Sequence, residues 1–166
     1  MVTSTIKDVQ DQLKLTEYDL LLIGDGSGTT IDQSSGWSCF YFDKNKLFYT
    51  ILKGGCSFGT NNFAELAPYF NALWFDLYKQ GNVLKMDRKV QIVSDSEITV
   101  KCGNKIYSRN CNLPLWSGIN WLESIGYKLT WNHVNRNTNR ISKLCDRIAG
   151  ETRKMFLTNE KVDGMI

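Results

Sequence analysis

The sequence predicts a layered α/β domain with a five-stranded mixed sheet, in which three antiparallel strands precede two parallel ones and helices flank the sheet. Three observations support this prediction. First, residues 20–23, 36–43 and 46–53 are apolar, aromatic or β-branched runs, and the link between the last two is short and polar, so the three predict an antiparallel meander. Second, residues 89–94 and 127–134 form two later runs of the same kind. Third, the segments between and after these later runs have helical spacing.

The predicted helices cover residues 3–15, 62–80, 96–107, 113–125 and 140–154. The second helix carries apolar residues at i, i+3 and i+4, from Leu66 to Leu77, so it faces the core. Pro68 is tolerated only early in a helix, which places the start near residues 61–64. Glu65 therefore falls in or near the first helical turn, where the helix dipole favours a carboxylate.

The composition indicates one globular domain. The chain has 166 residues, of which 42% are hydrophobic, so it can bury a substantial core without disulfides. The five cysteines show no CxxC spacing and are expected to be reduced thiols in a cytoplasmic protein. No run of about 18 apolar residues is present, so we expect no membrane association.

The charge is unevenly distributed along the chain, although the net charge is only +3. Residues 1–66 hold five Lys or Arg against eight Asp or Glu, whereas residues 126–154 hold seven against two. An acidic cluster with a basic region nearby suits a polyanionic ligand. A solvated basic helix would explain the basic excess of residues 126–154 equally well.

Two predicted strands lead into an aspartate. Residues 20–23 end on Gly24 and deliver Asp25, after which we expect the chain to turn, and residues 89–94 lead into Asp95. Strands one and four can be neighbours joined by a crossover, which would place these carboxylates side by side. Carboxylates beside a sheet core are costly unless neutralised, and a hard divalent cation can neutralise several together.

Four motifs in order resemble the type 1 ribonuclease H family: GDGSG at 24–28, TNNFAEL at 60–66, SDSE at 94–97 and WNHVNRNTN…CDRIA at 131–149. Each motif alone is weak, but together they cover roughly residues 18–155. The resemblance implies a ribonuclease H-like fold with a catalytic domain over residues 18–156. We expect residues 1–17 to be a helical N-terminal extension and residues 157–166 to be a loose tail.

The resemblance also implies a metal-dependent endoribonuclease that hydrolyses the RNA strand of an RNA–DNA hybrid. The family's four catalytic, metal-binding acids correspond to Asp25, Glu65, Asp95 and Asp146, with two Mg²⁺ ions, or Mn²⁺ in their place, between them. Two cations can activate a water and stabilise the leaving oxygen of an in-line phosphodiester attack. Taken singly, Glu65 or Asp146 is better explained as a cap or a surface acid.

The expected nucleic-acid contacts come from the same resemblance. Short side chains and backbone N–H groups would face the sugars of the hybrid in its minor groove, where the 2′-hydroxyls distinguish RNA from DNA. These groups, which turn or cap chemistry would also explain, are Gly26, Ser27, Asn61 and Asn62. The expected phosphate and loop contacts are Thr60, Arg136, Asn137, Arg140 and Lys143.

The sequence departs from the family pattern in three places. The family often carries a histidine in the loop before the last helix, but the single histidine here, His133, falls on strand five, and Arg136 or Asn137 stands nearer that position. An interior histidine is more often structural than catalytic. The segment between Asp95 and Tyr127 is also short for a full basic protrusion, of which Lys101, Lys105 and Arg109 would be what remains. Finally, Gly24 stands where a small hydroxyl residue is usual.

Two alternatives to the hybrid-cleaving enzyme stay open. The same acids could serve a DNA nuclease or resolvase of related architecture. A nucleic-acid-binding module with a weakened site is the other alternative, favoured mildly by the missing loop histidine. No feature of the sequence identifies a protein partner.

Overall fold

The computed structural model describes the backbone of residues 2–28 and 34–165, and the side chains of residues 6–28 and 34–156. Its strands are β1 (Leu20–Gly28), β2 (Ser35–Asp43), β3 (Phe48–Cys56), β4 (Arg88–Ser94) and β5 (Tyr127–His133). Its helices are α1 (Val2–Leu13), α2 (Asn61–Lys79), α3 (Glu97–Gly103), α4 (Leu113–Ser124) and α5 (Arg140–Met165).

The five strands form one mixed sheet in the order β3-β2-β1-β4-β5. Strands β1, β2 and β3 pair antiparallel, whereas β4 is parallel to both β1 and β5. The predicted fold class and the predicted neighbourhood of strands one and four are therefore confirmed. The sheet is α/β with a crossover from β3 through α2 to β4.

The length over which β1 is paired differs on its two sides. Its antiparallel ladder with β2 runs the full length, from Leu20 opposite Asp43 to Gly28 opposite Ser35. Its parallel ladder with β4 stops after four pairs, at Ile23 opposite Val93. Beyond that point β1 and β4 are no longer paired, and we call this unpaired end of the two strands the gap.

Alternate residues of β1 enter two separate cores, as the period of two in a strand requires. Leu20 and Leu22 pack in the core under α2 and α4. Leu21 and Ile23 pack on the other face, in a core that α1 and α5 cover. Because Ile6 and Val9 of α1 are buried in this second core, the N-terminal helix is packed against the sheet.

A buried charged network lies at the opposite end of the sheet from the gap. Asp76 of α2 accepts two hydrogen bonds of 2.7 Å from the Arg88 guanidinium, and the hydroxyls of Tyr41 and Tyr127 also donate to it at 2.5 and 2.7 Å. Arg88 also pairs with Asp43 at 3.2 Å. One guanidinium thus lies between two carboxylates, and all three charged groups have partners within the fold.

Four element ends differ from the sequence prediction by three residues or more. Strand β3 runs to Cys56 instead of residue 53, because β2 still pairs with it at Ser35. β1 does not turn after Asp25, since β2 continues to pair with it as far as Gly28. Helix α3 stops at Gly103 instead of residue 107, where glycine weakens the helix and Lys105 adopts a positive φ of 62°. Helix α5 runs to Met165 instead of residue 154, because no proline interrupts it.

The remaining sequence expectations concern the ends of the chain and its cysteines. The division into residues 1–17, 18–156 and 157–166 stays a prediction, and the side chains of the last segment lie outside the described residues. All five cysteines are free thiols. None of the helices in the described part of the chain combines the length and the apolar character of a membrane span.

Candidate active site

Asp25 lies at the gap between β1 and β4, two residues beyond their last pair. Its side chain is buried, and the backbone N–H of Gly26 donates to its Oδ1 at 2.9 Å. Helix α2 approaches β1 so closely here that a Cβ at Gly26 would overlap the Ala64 carbonyl. Only glycine allows this approach, which brings the start of α2 next to Asp25.

Glu65 reaches the same gap from α2. The helix begins at Asn61, with the Thr60 hydroxyl capping it through a hydrogen bond of 3.1 Å from the Phe63 N–H. Glu65 is therefore the fifth helical residue, just past the first turn. Its side chain is buried, and among the described residues its Oε2 has no hydrogen-bond partner. A buried carboxylate oxygen without a partner is costly unless a ligand satisfies it.

Asp95 completes the cluster from the end of β4. Ser96 caps the next helix by accepting a hydrogen bond of 3.3 Å from the Thr99 N–H, which ends the strand at this point. One carboxylate oxygen from each of Asp25, Glu65 and Asp95 lies within 4.8 Å of the others. Three acids from three separate elements thus meet, and we call them the acidic cluster.

The surroundings of the acidic cluster disfavour three simultaneous negative charges. Burial, followed by the charge of Asp95 and the carboxyl of Asp146, raises the pKa of Asp25 to about 8. Burial and the charges of Asp25 and Asp95 raise the pKa of Glu65 to about 9. The pKa of Asp95 is raised as well, mainly by burial. At neutral pH the site therefore favours the uptake of positive charge, either as protons or as a cation.

Asp146 lies beside the acidic cluster on α5. It interacts with the Asp25 carboxyl, and its Oδ1 accepts a hydrogen bond of 3.2 Å from Arg136. The positive charge of Arg136 lowers the pKa of Glu65 and Asp95, opposing part of the increase that burial causes. Asp146 is thus next to Asp25 but outside the set of three converging oxygens.

The acidic cluster fits a hard divalent cation. Its donors are all carboxylate oxygens, the ligands that Mg²⁺ and Mn²⁺ prefer, and the unpartnered Oε2 of Glu65 is a free ligand atom. No cysteine belongs to this group, and its donor set does not match a typical zinc site. Asp25, Glu65 and Asp95 are the residues that could hold the ion.

The acidic cluster opens into a surface cavity of about 410 Å³. Several residues predicted to contact nucleic acid line this cavity, namely Gly26, Ser27, Asn61, Asn62 and Arg136. Four others do not: Thr60 caps α2, Asn137 is an exposed residue at a positive φ of 57°, Arg140 pairs with Asp8 of α1 at 3.3 Å, and Lys143 is exposed on α5. Local capping and the packing of α1, which the motifs do not encode, explain these differences.

His133 is the last residue of β5 and is not among the residues that line the cavity. Its Nε2 lies 3.2 Å from the backbone carbonyl oxygen of Asp95. The side chain is exposed, so it is not an interior structural histidine. Arg136, three residues later, is the basic side chain that faces the acids.

Arg109 is not available for a basic protrusion. Its guanidinium stacks on Trp116 at 4.4 Å and donates to the backbone carbonyls of Cys102 and Gly103. It also pairs with Glu123. Lys101 pairs with Glu97 at 2.8 Å, so the suggested basic group is largely committed to contacts within the fold.

Tyr69 and Glu97 also lie at the site, although the sequence motifs do not predict either of them as a site residue. Glu97 belongs to the SDSE motif and lines the cavity, so the motif contained the signal. Tyr69 is predicted only as a core residue of α2, but its hydroxyl contacts the backbone just before Asp25. Its position one turn after Glu65 was the available clue.

Comparison with solved structures supports the fold. The N-terminal RNase H domain of a Mycobacterium tuberculosis protein superposes with a TM-score of 0.69 at 18% identity, covering 87% of this chain and 99% of that domain. LC11-RNase H1, solved in complex with an RNA/DNA hybrid, gives a TM-score of 0.63 at 19% identity and covers 83% and 99%. RNase H1 from Halobacterium salinarum gives 0.56 at 19% identity and covers 80% and 96%.

These likenesses show that the chain has a ribonuclease H-like fold, as the sequence motifs predict. No family model matches the sequence, and no curated protein matches it either. At identities of 17–19% the structural likeness establishes the fold. The activity has to be argued from the acidic cluster and the cavity.

Proposed function

We propose that the protein is a metal-dependent endoribonuclease that hydrolyses the RNA strand of RNA–DNA hybrids. The observation that carries this proposal is the convergence of Asp25, Glu65 and Asp95, with ligand oxygens within 4.8 Å of one another, on a ribonuclease H-like fold. The cluster lies in an open cavity, as a long polymeric substrate needs. A similar fold, LC11-RNase H1, has been solved with an RNA/DNA hybrid.

The acids would have different tasks. Asp25, Glu65 and Asp95 would hold a divalent cation, Mg²⁺ or Mn²⁺, and Asp146 would serve a second ion from the side of Asp25. When bound, a pair of such ions activates a water molecule and stabilises the leaving oxygen of a phosphodiester. The Gly26 N–H donates to Oδ1 of Asp25 and so would help to orient this carboxylate.

Arg136 would neutralise and orient the substrate. Its guanidinium forms a salt bridge of 3.2 Å with Asp146, and the side chain also lines the cavity. A phosphate entering the cavity offers the guanidinium a second anionic partner with matching bidentate geometry. The exposed amides of Asn61 and Asn62 and the small residues Gly26 and Ser27 would approach the sugars of the hybrid.

A cleavage assay tests this proposal. Labelled RNA–DNA hybrid, duplex RNA and duplex DNA are incubated with Mg²⁺ or Mn²⁺ and either the wild-type protein or the Asp25→Asn or Asp95→Asn variant. We expect cutting of the RNA strand of the hybrid alone, and loss of that cutting in both variants. Asp87→Asn is the matched control, because Asp87 pairs with Lys128 on the surface and should leave cleavage unchanged.

The other outcomes identify the alternatives. Cutting of duplex DNA in preference to the hybrid would assign the site to a DNA nuclease or resolvase. Binding of the hybrid without cutting, at every metal concentration, would indicate a nucleic-acid-binding module whose acids no longer act in catalysis. Either result would overturn the proposed activity while leaving the fold unaffected.

A further inference from the structure

The Tyr69 hydroxyl connects the two strands that carry Asp25 and Asp95. It lies 2.6 Å from the carbonyl oxygen of Val93 on β4 and 2.9 Å from that of Gly24 on β1, and it accepts a hydrogen bond of 3.2 Å from the Gly24 N–H. The side chain is fully buried. One phenol group thus contacts the backbone immediately before Asp25 and two residues before Asp95.

This contact lies where backbone pairing between the strands ends. The parallel ladder of β1 and β4 stops at Ile23 opposite Val93, so the residues beyond it are not held together by ladder hydrogen bonds. Tyr69 spans the strands at that point. It also belongs to α2, one turn after Glu65. The same residue therefore connects the helix that carries Glu65 with the two strands that lead to Asp25 and Asp95.

Gly24 and Tyr69 are complementary. A Cβ at Gly24 would lie 3.1 Å from two ring atoms of Tyr69 and 2.7 Å from Cβ of Pro68, closer than ordinary van der Waals contact. The glycine therefore makes room for the ring.

We propose that Tyr69 is a positioning residue that sets the separation of Asp25 and Asp95 and thereby the affinity of the acidic cluster for a divalent cation. The inference rests on the proposed function, in which that cluster holds the metal. Groups that orient metal ligands without touching the metal commonly change affinity by about 10–100-fold when removed. Tyr69 acts on the ligands through the backbone of both strands.

The test compares two conservative variants. Tyr69→Phe keeps the ring, whose edge packs on Trp131 at a centroid distance of 5.6 Å, and removes only the hydroxyl. Tyr127→Phe removes an equally buried hydroxyl that donates to Asp76 at 2.7 Å, at the far end of the sheet. Mn²⁺ binding to each folded protein is measured by electron paramagnetic resonance of the free ion, and thermal unfolding is recorded in parallel.

We expect both variants to unfold at lower temperature, but only Tyr69→Phe to weaken Mn²⁺ binding, by about 10–100-fold. Unchanged binding in Tyr69→Phe, or an equal loss in both variants, would overturn the inference. If the wild type binds no Mn²⁺, the metal site itself and the proposed function fail as well. If the wild type binds Mn²⁺ and Tyr69→Phe loses it, but hybrid is not cut, the positioning role stands and the proposed activity fails.

Discussion

The acidic cluster should make the metal-free protein less stable as the pH rises. Burial and neighbouring negative charge raise the pKa of Asp25 from 3.8 to about 8. Between these two values the folded protein keeps a proton that the unfolded chain has released. The stabilisation is complete below about pH 4 and is lost as the pH rises through about 8.

The size of the effect follows from proton linkage. One proton held only by the folded state lowers the free energy of unfolding by about 1.4 kcal/mol for each pH unit. From pH 5 to pH 7.5, the titration of Asp25 alone should therefore lower the free energy of unfolding by about 3 kcal/mol. Glu65, whose pKa rises to about 9, acts in the same direction. Saturating Mg²⁺, at about 100 times its dissociation constant, should restore about 2.7 kcal/mol.

Urea unfolding at several pH values, with a chelator present, measures this effect. The Asp25→Asn variant cannot titrate at that position. From pH 5 to 7.5 its free energy of unfolding should therefore fall by about 3 kcal/mol less than that of the wild type. Asp87→Asn, which alters a surface acid, should follow the wild type. A difference between Asp25→Asn and the wild type that stays constant with pH would refute the reasoning.

Three further predictions concern packing, charge and substrate contact. Asp76→Ala leaves two buried hydroxyls unpaired and leaves the buried Arg88 charge with Asp43 as its remaining partner, so it should lower the free energy of unfolding by about 3–5 kcal/mol in urea titrations; a loss below 1 kcal/mol would contradict the network's importance. Gly26→Ala should displace α2 and reduce hybrid cleavage, whereas Gly150→Ala, with open space around it, should raise thermal stability slightly; equal behaviour of the two variants would argue against the close approach. Arg136→Ala should weaken hybrid binding and reduce its logarithmic salt slope by about 1, as measured by fluorescence anisotropy; an unchanged slope would remove Arg136 from the phosphate contacts.

Much of the fold could be predicted because it depends on local periodicity. The apolar run from Leu20 to Ile23 and the helical spacing of α2 both appear directly in the sequence, and the handedness of crossovers limits how strands one and four can be arranged. The end of β1 could not be predicted, since Gly26 and Gly28 are typical of a turn. They remain extended because β2 pairs with them.

The less predictable parts of the site depend on long-range contacts. Arg109 and Arg140 look alike in the sequence as exposed cations, yet one stacks on Trp116 and the other pairs with Asp8. Spacing also places Tyr69 in the core without showing that its hydroxyl reaches two strands. The roles of the predicted catalytic acids stay predictions, which the cleavage assay addresses.

The short parallel ladder between β1 and β4 has a kinetic consequence. The hairpins of β1, β2 and β3 join near neighbours, whereas Asp25 and Asp95 are 70 positions apart and meet only after β4 has docked. Such distant pairings form slowly, because a long loop must close first. Carboxylate repulsion that arises after the folding barrier chiefly accelerates unfolding. A cation that relieves it would then act mainly by lengthening the lifetime of the native molecule.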